Sequence, residues 1–373
     1  SFDGSVPGTD WGNLLQARAM GDHVVVSDLM STGFRVFDDD GAWVETLGRR
    51  GEGPLELEGA GEWALLGDSL VASDGLGEKT VVFDRGTGEV TSYRTEDPPV
   101  ETKTWSIGRV EIGWIVYDWF EDGSYITRNT PDPRGLEPGF TTLDGEYHRM
   151  ASNGEYLGHL GSHPVARVYT LPDGEQGVIP FMTMPHISTS RMKLWHAFAD
   201  SLFEVRRIDA ESGAVDMLVR IDDRGLRATD DMLATLRETE DQQILEVMEQ
   251  SGGEVDPAMI ATMRETMQEL RARQPEPGWT PTVFGLRALA SGYLLVDLPD
   301  WDWHMQPNQL LMGNVPEGEA VSFAVLDPSG RWLGTLEAPT GLVVSDVTDD
   351  YVIGYRKDDF DVPYIERWRI IRP

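Results

Sequence analysis

The sequence predicts an all-β fold, a six-bladed β-propeller with a helical hairpin insertion. The first observation is a recurring hairpin, in which an alternating apolar run leads through an Asp/Gly turn into a second run. One such unit cannot bury both of its faces, so several units must stack. The second observation is the spacing of the units, roughly 45 residues, which is typical of four-stranded propeller blades. The clearest copies of the hairpin are 34–47, 81–93, 202–218 and 321–336.

Each of the first two hairpins follows a short apolar run that ends in Ser-Asp, at 22–28 and 69–74. The unit is interpreted as an inner apolar strand, a loop and two further strands. Strands of this kind indicate a sandwich, a barrel or a propeller, and a closed ring of blades leaves only short protected edges. The segment 14–18 is free to add a strand to the last blade and close the ring. The predicted units are about 12–50, 61–95, 105–158, 165–221, 280–337 and 351–371.

One stretch, 229–273, changes to a helical period. Met259, Met263 and Met267 recur at every fourth position and form a stripe along one predicted helix face. Methionine is an adaptable side chain, so the stripe either packs against the body of the protein or offers a partner surface. We predict one propeller domain, 1–373, with 229–273 inserted between blades four and five.

Charge and composition exclude several classes of function. The 373 residues include 64 acidic and 31 basic side chains, and the net charge of −33 opposes binding to nucleic acids and to anionic membranes. The chain has no cysteine, which excludes disulfides, thiolate catalysis and Cys-ligated metals. No apolar run reaches the roughly 18 residues of a membrane span. Because the first residue is Ser1, we expect that a secretory signal, or a lipid-anchoring cysteine, has been removed.

A glycine-rich linker at 47–57, Leu-Gly-Arg-Arg-Gly-Glu-Gly-Pro-Leu-Glu-Leu, follows the first hairpin. Glycine permits turns that other residues avoid, and Pro54 ends strand pairing, as a crossing between blades requires. The linker resembles the Gly-x-x-Gly-Glu-Gly-Pro-x-Glu-aromatic segment of the secreted bacterial six-bladed β-propeller family, which is NHL-repeat-like and largely uncharacterised. Segments 122–126 and 346–368 resemble it too, although Leu57 replaces the aromatic residue. The resemblance implies a propeller in the periplasm, at the outer cell surface or outside a bacterium, and it implies no particular reaction.

Histidines and carboxylates are the candidate metal ligands. His23 and His196 lie in or beside predicted inner strands, where they are either channel ligands or structural residues. His159 and His163 are four apart, but in a predicted glycine-rich loop that spacing does not indicate a helical metal site. The Asp-Asp-Asp-Gly run at 38–41 lacks the alternating ligands of a calcium loop and is interpreted as a hairpin turn. No cofactor is predicted, and Ca²⁺ and Zn²⁺ are the ions that such ligands would suit.

Three segments depart from the repeats: a predicted loop at 129–144, the helices at 229–273 and a loop at 299–318. In the last of these, Trp301, Trp303 and His304 either cover the end of a blade or bind a sugar or a protein segment. The sequence contains neither a Gly-x-Ser-x-Gly elbow nor a phosphate-binding loop, and no catalytic residue is predicted.

Two functions are left open by the sequence. The first is an exported, non-enzymatic binding or scaffold protein, which presents its loops and helical hairpin to a protein or glycan partner within a larger assembly. The second is a metal-assisted hydrolase or lyase with its site at the propeller channel. Convergence of His, Asp and Glu side chains on the channel would favour the second function. The sequence does not predict the oligomeric state or the identity of the partner.

Overall fold

Six antiparallel sheets arranged in a ring form the body of the protein, which is a β-propeller. This architecture, seen in a computed structural model, confirms the predicted fold class. In the four-stranded blades the first strand is nearest the ring axis, and the later strands follow outward in chain order. The structure describes residues 14–28, 33–57, 60–74, 79–94, 98, 105–107, 110–112, 115–129, 131–177, 179, 185–198, 202–238, 257–273, 275, 278–299, 319–358 and 362–371.

The first two blades have the simplest form, with four strands each. Their outer hairpins are the repeats that the sequence analysis found at 34–47 and 81–93. Blade one contains β1 (Leu14–Met20), β2 (His23–Asp28), β3 (Phe34–Phe37) and β4 (Trp43–Leu47). Blade two contains β5 (Ala60–Leu66), β6 (Ser69–Asp74), β7 (Lys79–Asp84) and β8 (Glu89–Arg94).

Blade three contains the longest hairpin of the described residues. A small ribbon, β9 (Trp105–Ile107) with β10 (Val110–Ile112), precedes it. The blade contains β11 (Ile115–Trp119), β12 (Tyr125–Arg128), β13 (Gly139–Met150), β14 (Tyr156–Thr170) and the short β15 (Gln176–Gly177). Because β12 pairs only with the last four residues of β13, the rest of β13 and its partner β14 extend past β12 as a ribbon.

The other three blades follow the same antiparallel plan, with three strands described in the sixth. Residues 230–238 (α1) and α2 (Pro257–Ala272) are helical and come between blades four and five in the chain. Neither described helix is long and apolar enough to cross a membrane. The remaining strands are β16 (His186–Ser190), β17 (Lys193–Ala197), β18 (Leu202–Asp209) and β19 (Val215–Arg224) in blade four; β20 (Gly285–Ala288), β21 (Leu294–Asp297), β22 (Ser322–Leu326) and β23 (Trp332–Glu337) in blade five; and β24 (Val343–Val347), β25 (Tyr351–Lys357) and β26 (Pro363–Arg369) in blade six.

The predicted innermost strands of the first two units, and that predicted at His196, were wrong, because His196 lies in β17, the second strand of blade four. The apolar runs at 22–28 and 69–74 form the second strands, β2 and β6, and not the inner ones. The segment 14–18 belongs to β1, which pairs with β2 rather than with the last blade. Met20 and His23 are joined by a two-residue turn in which Gly21 has a φ of +57°. The segment 14–20 therefore pairs with the strand that directly follows it, as a hairpin.

The hydrophobic core is divided among the six junctions between neighbouring blades. Six clusters of buried side chains each combine residues of two adjacent blades. Between blades one and two, for example, the rings of Phe34 and Trp63 lie 5.3 Å apart. Between blades six and one, Ala17 packs with Ile353, and β1 lies beside β24. The ring therefore closes by packing between sheets, and both apolar faces of every blade are covered.

The glycine-rich linker folds back on itself between blades one and two. The Gly53 N–H donates to Glu56 Oε2 at 3.0 Å, and this bond, with Arg49 2.6 Å away, lowers the pKa of Glu56. Lys79 Nζ donates to the Gly53 carbonyl at 3.0 Å. Leu57, which stands in the place of the family's aromatic residue, is fully buried in the junction. The linker thus connects blades one and two through these hydrogen bonds and through the buried side chain of Leu57.

The Asp/Gly turns use their own carboxylates to hold the backbone. Asp38 Oδ1 accepts the N–H groups of Asp40 and Ala42 at 3.1 and 2.8 Å. In blade five, Asp327 Oδ1 accepts the N–H groups of Ser329 and Arg331 at 2.9 and 3.0 Å. This side chain-to-backbone pattern is the ordinary role of aspartate in turns. The interpretation of 38–41 as a hairpin turn is confirmed.

Gly354 in β25 is a site where any side chain would collide with the neighbouring strand β24. A Cβ there would lie 2.2 Å from the Val343 carbonyl oxygen. We expect Gly354→Ala to lower the free energy of unfolding by about 1–3 kcal/mol, because the strands must separate to admit the methyl group. Denaturant unfolding measures the change. The control is Gly158→Ala in β14, where an added Cβ meets no heavy atom within 4 Å; equal midpoints for the two variants would contradict the prediction.

Candidate functional site

The metal-ligand candidates from the sequence lie on different blades. His23 is half-buried at the start of β2, whereas His196 is buried in β17. The His196 Nε2 atom lies 3.1 Å from the Pro164 carbonyl oxygen, and the His196 ring stands edge-on to Tyr147 at 5.6 Å. The structure does not bring the two histidines together. Outside the described residues lie Trp301, Trp303 and His304, and also the side chains of Met259, Met263 and Met267.

The propeller channel is lined by polar side chains of the innermost strands. In five blades, a polar residue occupies the second or third paired position before the turn into the second strand. The charged members lie close enough to interact with one another, Arg18 with Asp118 and Arg287 with Asp346, so these side chains form one layer around the axis. Glu62, on β5 of the remaining blade, lies close enough to this layer to interact with Arg18 and Asp118. The layer consists of Arg18, Asp118, Ser188, Arg287 and Asp346.

Four of the five residues in this layer bond to the backbone of a neighbouring blade. Such bonds use the groups that acid–base chemistry in the channel would need, and they fasten one innermost strand to the next. The Thr189 N–H and hydroxyl donate to Asp118 Oδ2 at 2.9 and 3.1 Å, and the Ala288 N–H donates to Ser188 Oγ at 2.9 Å. The Ala19 N–H donates to Asp346 Oδ2 at 3.2 Å. The Arg287 guanidinium donates to the Ser345 and Val344 carbonyls at 2.9 and 3.0 Å.

Glu62 is the most exposed of the carboxylates near this layer. Although it keeps solvent-accessible surface, the surrounding protein raises its pKa by desolvation, and Arg18 partly opposes that rise. At the edge of the channel in blade five, burial raises the pKa of Asp297 to about 6, against the opposing charge of Arg287. These shifts follow from removing carboxylates from water, which disfavours their charged form.

A different arrangement occurs on the ribbon formed by β13 and β14. Side chains alternate along a strand, so Phe140, Thr142, Asp144, Glu146 and His148 share one face of β13. On the opposite face, the alternate residues Leu143, Gly145 and Tyr147 are buried. The first face is exposed from Phe140 to Asp144 and becomes buried only at His148. The ribbon therefore carries a continuous strip, aromatic at one end and ionisable at the other.

The aromatic end of the strip consists of three side chains. Phe140 is 45% exposed, and its ring lies 5.0 Å from that of Tyr169, its partner across the ladder. The Arg167 guanidinium lies 4.5 Å from the Phe140 ring centre. Cross-strand aromatic pairs and cations over aromatic faces both stabilise a fixed arrangement. We call Phe140, Arg167 and Tyr169 the aromatic patch.

The ionisable end consists of Glu146, His148 and His159. Among the described residues it is the one group of three His, Asp or Glu side chains whose ligand atoms all lie within 4.8 Å of one another. His159 Nε2 lies 2.6 Å from Glu146 Oε2, and the two histidine rings are 5.0 Å apart. Burial, with a smaller effect of His159, lowers the pKa of His148 to about 4. At neutral pH His148 is therefore neutral, the form in which imidazole binds metals.

Local backbone features bring these three residues together. The Glu146 N–H donates to Asn129 Oδ1 at 2.8 Å, which fixes the start of this part of β13. A bulge between Tyr147 and His148 shifts the register, so His148 stands directly opposite His159. Residues 139–144 and 159–163 are thus strand, where the sequence analysis expected loops. In those segments, pairing between β13 and β14 outweighs the local preference of the sequence for turns.

The helical segment meets the far end of the same ribbon. Arg273, just after α2, pairs with Asp173 and with Glu175, whose Oε2 lies 2.9 Å from its Nη1. These two acids belong to the turn that follows β14. In α1, Leu233 and Leu236 are buried. The helical segment therefore contacts the turn at one end of the ribbon, next to the pairing of residue 139 with residue 170.

No protein-family model matches the sequence, and no curated protein matches it significantly. Among solved structures, a Bacteroides fragilis protein described as exported is 12% identical, with 100% of this chain and 93% of that chain covered and a TM-score of 0.46. A DUF4221 member from Bacteroides vulgatus is 9% identical, with coverages of 96% and 93% and a TM-score of 0.48. The calcium-binding protein regucalcin from Agrobacterium tumefaciens is 10% identical, with coverages of 95% and 90% and a TM-score of 0.40. At such identities the likeness concerns the fold alone.

The six-bladed fold that the linker resemblance implies is confirmed by the ring of six sheets. Neither family membership nor location follows from these comparisons. The candidate site therefore rests on the side chains of the ribbon and the channel.

Proposed function

We propose that this protein is an exported, non-enzymatic binding propeller of the secreted bacterial family that its linker resembles, and that it holds a protein partner on the exposed face of the β13–β14 ribbon. The observation that carries the proposal is the aromatic patch. Tyrosine and arginine are enriched among the residues that contribute most to protein interfaces, and an exposed phenylalanine beside them adds apolar area to bury. Thr142 and Asp144, next along the strip, would supply its polar rim.

The position of the patch supports a role in recognition rather than in the core. Phe140 lies on the face of the ribbon opposite to Leu143, whose side chain packs into the junction between blades three and four. Residues 229–273, which we propose to be an insertion between blades four and five, adjoin the far end of the ribbon through Arg273. A partner on the ribbon would therefore lie beside the helices as well. A glycan is the other class of partner that aromatic and carboxylate side chains would suit.

The hydrogen bonds of the residues that line the channel support a non-enzymatic function. Asp118 and Asp346 accept backbone hydrogen bonds from neighbouring blades, and the Arg287 guanidinium is committed to two carbonyls. A hydrolase or lyase at the channel would need several acids, bases or metal ligands that are not engaged in this way, whereas Glu62 is the one described carboxylate near this layer that is exposed. Among the described residues, the one His-containing group of candidate ligands lies on the ribbon and not on an innermost strand.

Site-specific photocrosslinking in the cell that makes the protein tests the proposal. A photoreactive phenylalanine analogue would replace Phe140, and in a matched strain it would replace Trp332 in blade five, since both side chains are 45% exposed. We expect a discrete crosslinked species from position 140 and none of that size from position 332. Mass spectrometry of the product distinguishes a protein from a glycan.

Two results would count against a binding face on the ribbon. The first is the same set of products from both positions, because that would reflect general exposure. The second is a product at position 140 whose yield is unchanged when Arg167 and Tyr169 are both replaced by alanine. Cell fractionation of the same strains tests export separately, because an exported protein is recovered from the periplasm, the cell surface or the medium.

A further inference from the structure

We propose that Glu146, His148 and His159 bind one divalent transition-metal ion of the zinc class. The proposal goes beyond the binding function assigned to the ribbon and does not depend on it. It is carried by the convergence of two imidazoles and one carboxylate on the same face of the β13–β14 hairpin.

The geometry needs only side-chain adjustment. Zinc binds imidazole nitrogen at about 2.0–2.1 Å and carboxylate oxygen at about 2.0–2.2 Å, so tetrahedral ligand atoms lie about 3.3–3.5 Å apart. His159 Nε2 and Glu146 Oε2 are closer than that, at 2.6 Å, and all the ligand atoms of the group lie within 4.8 Å of one another. His148 and His159 are direct partners in the ladder, so their backbones already stand at a suitable separation. Small rotations about the side-chain bonds would bring all three atoms to one ion.

The ligand types select the ion. Two imidazole nitrogens with one carboxylate suit Zn²⁺, Co²⁺ and Ni²⁺, whereas Ca²⁺ takes six to eight oxygen ligands. Three protein ligands also leave one position open, as in zinc sites that bind a water or a further ligand. Of the two ions considered at the outset, the cluster therefore favours zinc over calcium.

Neighbouring groups hold the ligands in place. The Tyr156 hydroxyl lies 3.4 Å from His148 Nδ1 and restrains the orientation of the ring. The Asn129 side chain accepts the Glu146 N–H, and so fixes the backbone from which the carboxylate extends. Such outer partners commonly orient metal ligands in proteins. The ion would replace the present contact between His159 and Glu146.

Metal titration of the full chain tests the proposal, with Co²⁺ absorption as the readout and competition by Zn²⁺. We expect one Co²⁺ per chain, with the intense visible bands of a tetrahedral site, displaced by a single equivalent of Zn²⁺. His159→Ala and Glu146→Gln should each weaken binding by more than about 100-fold, since loss of an outer partner alone costs about 10- to 100-fold. The control, His23→Ala in blade one, should bind as the wild-type protein does.

The variants also separate this site from general attraction of cations to an acidic protein of net charge −33. Cobalt binding of equal strength in the wild type, His159→Ala and Glu146→Gln would overturn the proposal, and so would an absence of saturable binding to the wild type. His159 is exposed, and Glu146→Gln keeps the shape of the side chain, so both variants should fold. Circular dichroism melting of each verifies this, and the Glu146→Gln result stands by itself if the other variant is unstable.

Discussion

Replacing Arg287 with methionine is expected to lower the free energy of unfolding by about 1–3 kcal/mol, the usual cost of leaving hydrogen-bonding groups without their partner. Arg287 lies on the innermost strand of blade five, and its guanidinium donates to the Val344 and Ser345 carbonyls of blade six. Methionine fills a similar volume but has no donor. It would leave these two carbonyls unpaired and would remove the cation that interacts with Asp297 and Asp346.

Guanidinium chloride unfolding followed by circular dichroism measures this effect. Arg331→Met is the matched control, because Arg331 also pairs with a carboxylate, Asp327 at 3.1 Å, but is exposed. Exposed pairs contribute about 0–1 kcal/mol, so the control should unfold almost as the wild type does. Similar losses in the two variants would show that the channel layer does not fasten the blades. The same result would remove the argument that its charged groups are engaged in structural bonds.

The outer half of each blade could be predicted from the sequence because it follows a local rule. Residues 34–47 alternate on either side of an Asp/Gly turn, and Asp38 bonds to the backbone of that same turn. Hairpins of this kind depend on neighbours only a few residues away. Both the repeat and its spacing were therefore visible before any contact between blades was known.

The innermost strands could not be recognised in the same way. Arg18, Asp118 and Arg287 face the channel on strands whose other face packs against a blade, so the usual apolar alternation is interrupted by charge. The contacts of these residues are with other blades, such as that between Asp118 and Thr189, 71 positions apart. A single sequence holds no local sign of such pairing.

The cluster on the ribbon was missed because of register. The third unit was predicted to end at 158, and the sequence does not reveal that a bulge sets His148 opposite His159. A shift of one residue moves a side chain to the other face of a strand. His159 and His163 were instead compared with each other along the chain, whereas His163 lies near Tyr147 and His196.

Mild acid is expected to destabilise the propeller through its buried histidines, and His196 should make the largest single contribution. Burial, followed by the nearby His163, lowers the pKa of His196 to about 3 in the folded protein. In the unfolded chain an imidazole titrates near 6.5. Between these values the unfolded state binds one proton more, so the free energy of unfolding falls by about 1.4 kcal/mol per pH unit as the pH decreases. The contribution is fully present above about pH 6.5.

Other groups act in the same window. Burial lowers the pKa of His148 and of His186 to about 4 and also lowers that of His163, so these residues add to the loss of stability in acid. Asp297 opposes them, because its pKa is raised to about 6 and the folded state binds the extra proton between about pH 4 and 6. Burial also raises the pKa of Glu62 and of Asp118, which act in the same direction as Asp297. The net slope should still be a loss, because four histidines outnumber these three carboxyl groups.

The test is the free energy of unfolding of the wild type and of His196→Gln, measured from pH 7.5 to pH 5. Glutamine can still donate to the Pro164 carbonyl, which lies 3.1 Å from His196 Nε2, but it does not titrate. The variant should therefore lose stability less steeply below about pH 6, by about 1.4 kcal/mol per pH unit. His23→Gln controls for the removal of one histidine from a half-buried position. Parallel curves for wild type and His196→Gln would mean that His196 is not held neutral, and hence that the junction between blades three and four is open to protons and water.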